Sequence, residues 1–201
     1  MNGEDRGEQA RAAYEHAVYT GDLSGLDEVE ADSALAHGRL LHARFMHGDT
    51  GEDPAELYRK LGDERGEGEA LFWIGCLHQF IRRDNDTAVP LLERSLHLAE
   101  QTGDKRTQAE ALRHLGIAAH AADRLDEARR RLEESSLLRH ELGALPGVAA
   151  NMVGLAYIAA AQDRRADATR ILDEADALAR AHGDHAIVQQ TVDARTAVLR
   201  D

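Results

Sequence analysis

Three stretches decide the reading of this chain: residues 69–81 (EALFWIGCLHQFI), 110–122 (EALRHLGIAAHAA) and 150–162 (ANMVGLAYIAAAQ). Laid over one another they put Gly75, Gly116 and Ala156 in one column. Each passes through a polar break (RRDND, DRLD, DRRAD) into a second stretch, where Ala88, Ala128 and Ala168 align, followed by Leu92, Leu132 and Leu172. The segments 69–109, 110–149 and 150–189 therefore repeat with a period of 40 or 41 residues, the longer period being assigned to one extra residue in the first break. Such a period is the mark of a stacked repeat protein, in which no unit can bury its apolar face alone.

The apolar residues recur at helical spacing, so each unit reads as helix, turn, helix, turn. Every second helix ends at a glycine (Gly103, Gly143, Gly183), where a left-handed residue can stop the helix without a Cβ clash. Asp86, Asp126 with Glu127, and Asp167 stand at the starts of the second helices, where acids suit the positive dipole end and can cap free amides. Three prolines and 4% aromatics leave little from which to build a sheet.

The small residue at Gly75, Gly116 and Ala156, with an alanine twelve or thirteen positions later, resembles the tetratricopeptide signature. The large residue expected four before it is Leu71, Leu112 or Met152, and the tyrosine expected three after it is replaced by His78, Ala119 and Ala159. The unit is more similar to the long, roughly 40-residue variant of bacterial, especially actinobacterial, repeat proteins and activator arms. The resemblance implies an all-α, right-handed α-solenoid of antiparallel helix pairs, with about nine helices in one domain over 1–201. Residues 8–29 form an N-terminal capping region with its helix over 8–20, 30–68 a divergent repeat with a first helix over 30–47 and a short second helix over 54–61, and 186–200 a C-terminal capping helix.

Charge excludes some functions. The formal net charge is −13, with 16 acids against 7 bases in residues 1–68. A nucleic-acid surface needs clustered Lys and Arg, so no nucleic acid is expected as a partner. Cys76 is the only cysteine, so no internal disulfide forms. No leader and no apolar run near the length of a membrane span is found, which gives a cytoplasmic protein with no membrane partner as the expectation. Two lysines against 22 arginines fit a high-GC bacterial source.

In tetratricopeptide arrays the first helices line a concave groove, and the resemblance places there Arg39 and His42 from the divergent repeat. It adds Phe72, Cys76, Gln79 and Phe80, then Arg113, Ile117 and His120, then Val153 and Tyr157. Glu69 and Glu110 fall in the same register, whereas Trp73 and Leu77 are expected to pack between helices. Aromatic and aliphatic groups beside Arg39 and Arg113 suit a protein or peptide that is partly apolar and carries a carboxylate or acidic group. The Lys and Asn of a chaperone-type carboxylate clamp are missing from these positions.

Metal and catalytic readings fare worse. His37, His42 and His47 are five apart, so successive rings lie about 140° round a helix and cannot share an ion. His182 and His185 flank a capping glycine, and the acidic turns 49–53 and 84–86 lack a full calcium ligand set. No metal, no cofactor and no catalytic residue is expected, and the glycines at 62, 66 and 68 do not follow a strand. The basic run Arg129–Arg131 is balanced by acids at helical spacing, which makes it a salt-bridged outer face. The leading function is a protein-binding scaffold, a regulatory or assembly adaptor. Two alternatives stay open: a small-molecule receptor or pathway enzyme with a pocket closed by the capping helices, and a structural homodimer.

Overall fold

The computed structural model describes Ala55, Arg59 and residues 62–199. The expected helices over 8–20 and 30–47, most of the short one over 54–61, and the groove candidates Arg39 and His42 lie outside the described residues. Within them the chain runs through α1 (Glu64–Cys76), a π-helical turn (Leu77–Ile81), α2 (Asn85–Thr102), α3 (Lys105–Ala121), α4 (Leu125–Glu141), α5 (Leu145–Ala161), α6 (Arg165–Ala181) and α7 (His185–Leu199). No strand occurs among the described residues.

Helices pair as α1 with α2, α3 with α4 and α5 with α6, and each second helix also packs on the next first helix. The arrangement is a tetratricopeptide-like α-solenoid. First helices begin at Glu64, Lys105 and Leu145, ahead of the aligned segments that start at 69, 110 and 150.

The aligned columns are the core. Ala88, Ala128 and Ala168 and Leu92, Leu132 and Leu172 are all 0 or 1% exposed. Gly75 and Gly116 face these leucines so closely that a Cβ would stand 2.9 Å from Leu92 and 3.0 Å from Leu132. A missing side chain on one helix thus makes room for a leucine on its partner, the interdigitation that close packing requires. Gly62, Gly103, Gly143 and Gly183 all hold φ near +70°; the last three end α2, α4 and α6, and each of the four leads into the next first helix.

Caps fall in a column of their own. Asp63, Asp104 and Asp184 each follow one of these glycines, and each accepts a backbone N–H from the first turn that follows. The equivalent residue before α5 is Ala144, which makes no side-chain cap, and there Pro146 sets the first turn instead. The second helices differ from expectation. Asp84, not Asp86, caps α2 by accepting from Thr87 N at 3.0 Å, while Arg124 and Arg164 begin α4 and α6 without a side-chain cap.

The longer first period also has a different origin from the one expected. The breaks at 82–84, 122–124 and 162–164 are the same length, and each holds one residue of positive φ: Arg83, Asp123 and Asp163. The extra residue sits instead in the first helix, with 13 α-helical residues and 5 π-helical ones against 17 in α3 and in α5. Its signature is the i to i+5 hydrogen bond from Arg82 N to Leu77 O at 3.2 Å. Past this turn the register shifts by one, so Gln79 falls in the buried column of Ala119 and Ala159.

Candidate functional site

Successive first helices touch one another as well as their second helices, so α1, α3, α5 and α7 form a continuous inner face. Two groups of polar side chains stand on it, one between α1 and α3 and one between α3 and α5.

The first is built round His114. Gln79 donates from Nε2 to the His114 carbonyl at 3.0 Å, which turns its own Oε1 toward His114 Nδ1, 2.8 Å away. That oxygen can only accept, so Nδ1 carries the proton. Phe72 and Phe80 both meet the ring edge-on, with centroids at 5.2 Å, and Cys76 Sγ lies 3.6 Å from Nδ1. Burial, reinforced by Arg113 and Arg139, pushes the His114 pKa down to about 3. Burial and the Glu110 carboxylate push the Cys76 thiol up to about 12. The two shifts leave a neutral imidazole beside a neutral thiol, the reverse of the charged pair a cysteine nucleophile needs.

The second group centres on Asn151, which is fully buried. Its Oδ1 accepts from Arg113 Nη1 at 2.8 Å, and its Nδ2 donates to Ser135 Oγ at 2.9 Å and Ser136 Oγ at 3.1 Å. Each serine has already given its own proton to a backbone carbonyl, Ser135 to Ala109 O and Ser136 to Leu132 O. The hydroxyls can only accept from the amide, so its orientation is determined. Arg139, 3% exposed, reaches from α4 to the Glu110 carboxylate at 2.8 Å and also donates from Nε to Ser135 Oγ.

The sequence-derived candidates separate into surface and interior. Arg113, Ile117, His120, Tyr157 and Cys76 are half-buried on the first helices, and Phe80 is 52% exposed. Phe72, Val153 and Gln79 are interior: Phe72 packs against Leu112 and Leu115, Val153 joins the cluster under α6 and α7, and Gln79 is held by His114. Trp73 and Leu77 reverse their expectation at 46% and 43% exposed.

Sequence reasoning missed Asn151 and Arg139. The signal was present, since Asn151 interrupts a column of Ala70 and Ala111, and Arg139 stands between Ala99 and Ala179. No group of three or more metal-ligating side chains occurs among the described residues, where Asp84 serves as a helix cap and His182 and His185 are exposed. On the outer face Arg131 pairs with Glu93 at 2.7 Å, and Arg129 reaches Asp126. No helix among the described residues is long and apolar enough to cross a membrane.

No protein-family model matches the chain, and no curated protein matches it. Among solved structures 17 chains match. One is a Podosopora anserina structure of nearly identical TPR-like repeats of kinesin light chain type, 15% identical, with 73% of this chain and 94% of that one covered at a TM-score of 0.42. A score that low carries no argument, and the fold rests on the helix pairing described above.

Proposed function

We propose that this helical-repeat scaffold binds a protein or peptide segment along the inner face of its first helices. Arg113 meets an acidic group of the partner, while Phe80, Ile117 and Tyr157 take its apolar part. The observation that carries the reading is Arg113 itself. Its column holds Phe72 and Val153 in the neighbouring repeats, both buried, whereas the middle repeat places a half-buried guanidinium there beside apolar surface. Arginine and aromatic residues most often dominate the energy of protein interfaces, and a guanidinium recognises carboxylates in two parallel hydrogen bonds.

The experiment is crosslinking capture from the native host, followed by titration of the purified partner. Arg113→Ala should weaken binding by about 2 kcal/mol, because the partner's acidic group loses a charge-assisted bond. Arg130→Ala, on the exposed face of α4, should change it little, since a solvated charge contributes about 0 to 1 kcal/mol. Equal losses from both variants, or a loss from Arg130→Ala alone, would move the binding surface to the outer side.

A further inference from the structure

The polar group between α3 and α5 stands where the rest of the stack does without one. Ala111 and Ala70 occupy the Asn151 column, Ala99 and Ala179 the Arg139 column, and Phe72 and Val153 the Arg113 column. The neighbouring units pack with alanine at the first two of these columns, so the fold does not need an amide and a guanidinium there. Burying them costs desolvation, and exchanging buried polar groups for well-packed apolar ones is often neutral or stabilising. A cost met at two buried positions of one interface calls for a role other than packing.

The geometry supplies one. Asn151 is locked by two serine hydroxyls that have no proton left to offer it, so its carbonyl oxygen has one direction, toward Arg113 Nη1 at 2.8 Å. Arg139 braces the same Ser135 and pairs with Glu110, so the hydroxyl that accepts from Asn151 is itself held from α4. Room for Arg139 is left by Gly147, since a Cβ there would fall on the guanidinium. Arginine side chains lose much rotamer freedom on binding, and a guanidinium already aimed by a buried acceptor avoids part of that loss.

We infer that Asn151, Ser135, Ser136 and Arg139 are positioning residues that preset Arg113 to receive a carboxylate of a bound peptide at the junction of the second and third repeats. This rests on the groove reading above and narrows it to one recognition point and one chemical group. Carboxylate selectivity then resides in the buried network, and apolar affinity in Phe80 and Tyr157.

The test separates these two quantities. A random-peptide library with free carboxyl termini is panned on the wild-type chain. Each enriched peptide is then made in its acid form and in a form with every Asp, Glu and terminal carboxylate converted to the amide. Wild type should prefer the acid form by about tenfold or more, the size of one charge-assisted hydrogen bond. Asn151→Ala should bring that ratio close to one while affinity for the amide form holds, a split that simple loss of stability would not produce. Ser136→Ala, which removes one of the two amide acceptors, should lower the ratio partway and serves if Asn151→Ala unfolds. A ratio unchanged in both variants, or no acid preference in wild type, overturns the inference. The groove reading survives that result if Phe80→Ala or Tyr157→Ala still weakens the peptides. Failure to enrich any peptide, or peptides indifferent to Phe80, Tyr157 and Arg113, overturns both.

Discussion

Gln79 grips His114 at two points, its amide N–H on the backbone carbonyl and its oxygen on the ring Nδ1, so that one side chain of the π-helical turn fixes both the position and the tautomer of a half-buried imidazole. The ring is neutral for a physical reason: a proton on the second nitrogen would add a charge to a largely desolvated site that already carries the field of Arg113 and Arg139. Its folded-state pKa is about 3, against an ordinary value of 6.5.

The consequence for stability has a definite sign. Below 6.5 the unfolded chain takes up a proton at this residue that the folded chain refuses, so stability falls as the pH drops from 6.5 toward 3. The slope contributed is at most about 1.4 kcal/mol per pH unit. Urea midpoints from pH 7.5 down to 5 should therefore fall more steeply for wild type than for His114→Gln, whatever the difference between them at pH 7.5. Parallel curves would show that His114 charges freely in the fold.

Gly147 and Arg139 make a second pair whose coupling can be measured. A methyl group at Gly147 would displace the Arg139 guanidinium from the Glu110 carboxylate, leaving a buried charge without that partner. Gly147→Ala should cost about 3 kcal/mol, the scale of a broken buried ion pair. In an Arg139→Ala background the same substitution should be neutral or stabilise by up to about 1 kcal/mol, because alanine is the better helix former. Thermal or urea unfolding of the four proteins in the cycle checks this, and additive effects would refute the steric relationship.

Asp104 and Asp184 cap equivalent helices but should respond oppositely to one substitution. Asp104 uses both oxygens, on Thr107 and on Arg65, and its carboxyl is held below the usual carboxylate range. At Asp184 the Thr107 position is taken by Ile187. There Oδ2 is buried without a hydrogen-bond partner, and burial raises the carboxyl pKa. Asp104→Asn should lower stability at pH 7 by about 1 to 2 kcal/mol, from lost charge-assisted bonds. Asp184→Asn, which keeps the cap from Ile187 N and removes the buried charge, should leave stability equal or higher. Calorimetry at pH 7 decides, and a loss at Asp184 equal to that at Asp104 would mean that the orphan oxygen finds a partner in solution.

How much of this was legible in the sequence depends on whether a residue obeys its column. Gly75 with Leu92, Gly116 with Leu132 and the capping glycines announced themselves by repetition, because the same packing problem recurs in each unit. The inner face was legible only as a set of positions. Phe72 and Val153 share the Arg113 column yet are buried in apolar clusters, so the column alone does not say whether a side chain joins the core or stands in the groove. Asn151 and Arg139 were visible as interruptions of alanine columns, but their purpose appears only when Ser135, Ser136 and Gly147 are brought beside them. The extra residue was misplaced because a polar break absorbs an insertion without altering any pattern, whereas the positive-φ column Arg83, Asp123, Asp163 shows that the break has constant length.

That insertion yields the last prediction. Gln79 occupies the column of Ala119 and Ala159, which are 0 and 1% exposed, and it fits there as a side chain several atoms larger. The π-helical turn is what makes the fit: one added residue widens the backbone and lets Gln79 reach His114 without driving into α3. Leu77 is 43% exposed, so excising it removes little core contact while closing the turn to the α-helical form of α3 and α5. The deletion should leave the circular dichroism of a helical stack but cost about 1 to 3 kcal/mol, because Gln79 is then forced into an alanine-sized space. Adding Gln79→Ala to the deletion reproduces the alanine that the second and third repeats carry and should recover most of that loss. In the full-length turn, Gln79→Ala should instead destabilise, since it leaves His114 Nδ1 without its acceptor. The opposite signs of one substitution in the two backgrounds are the measurement, and the same sign in both would mean that the turn and the glutamine are unrelated.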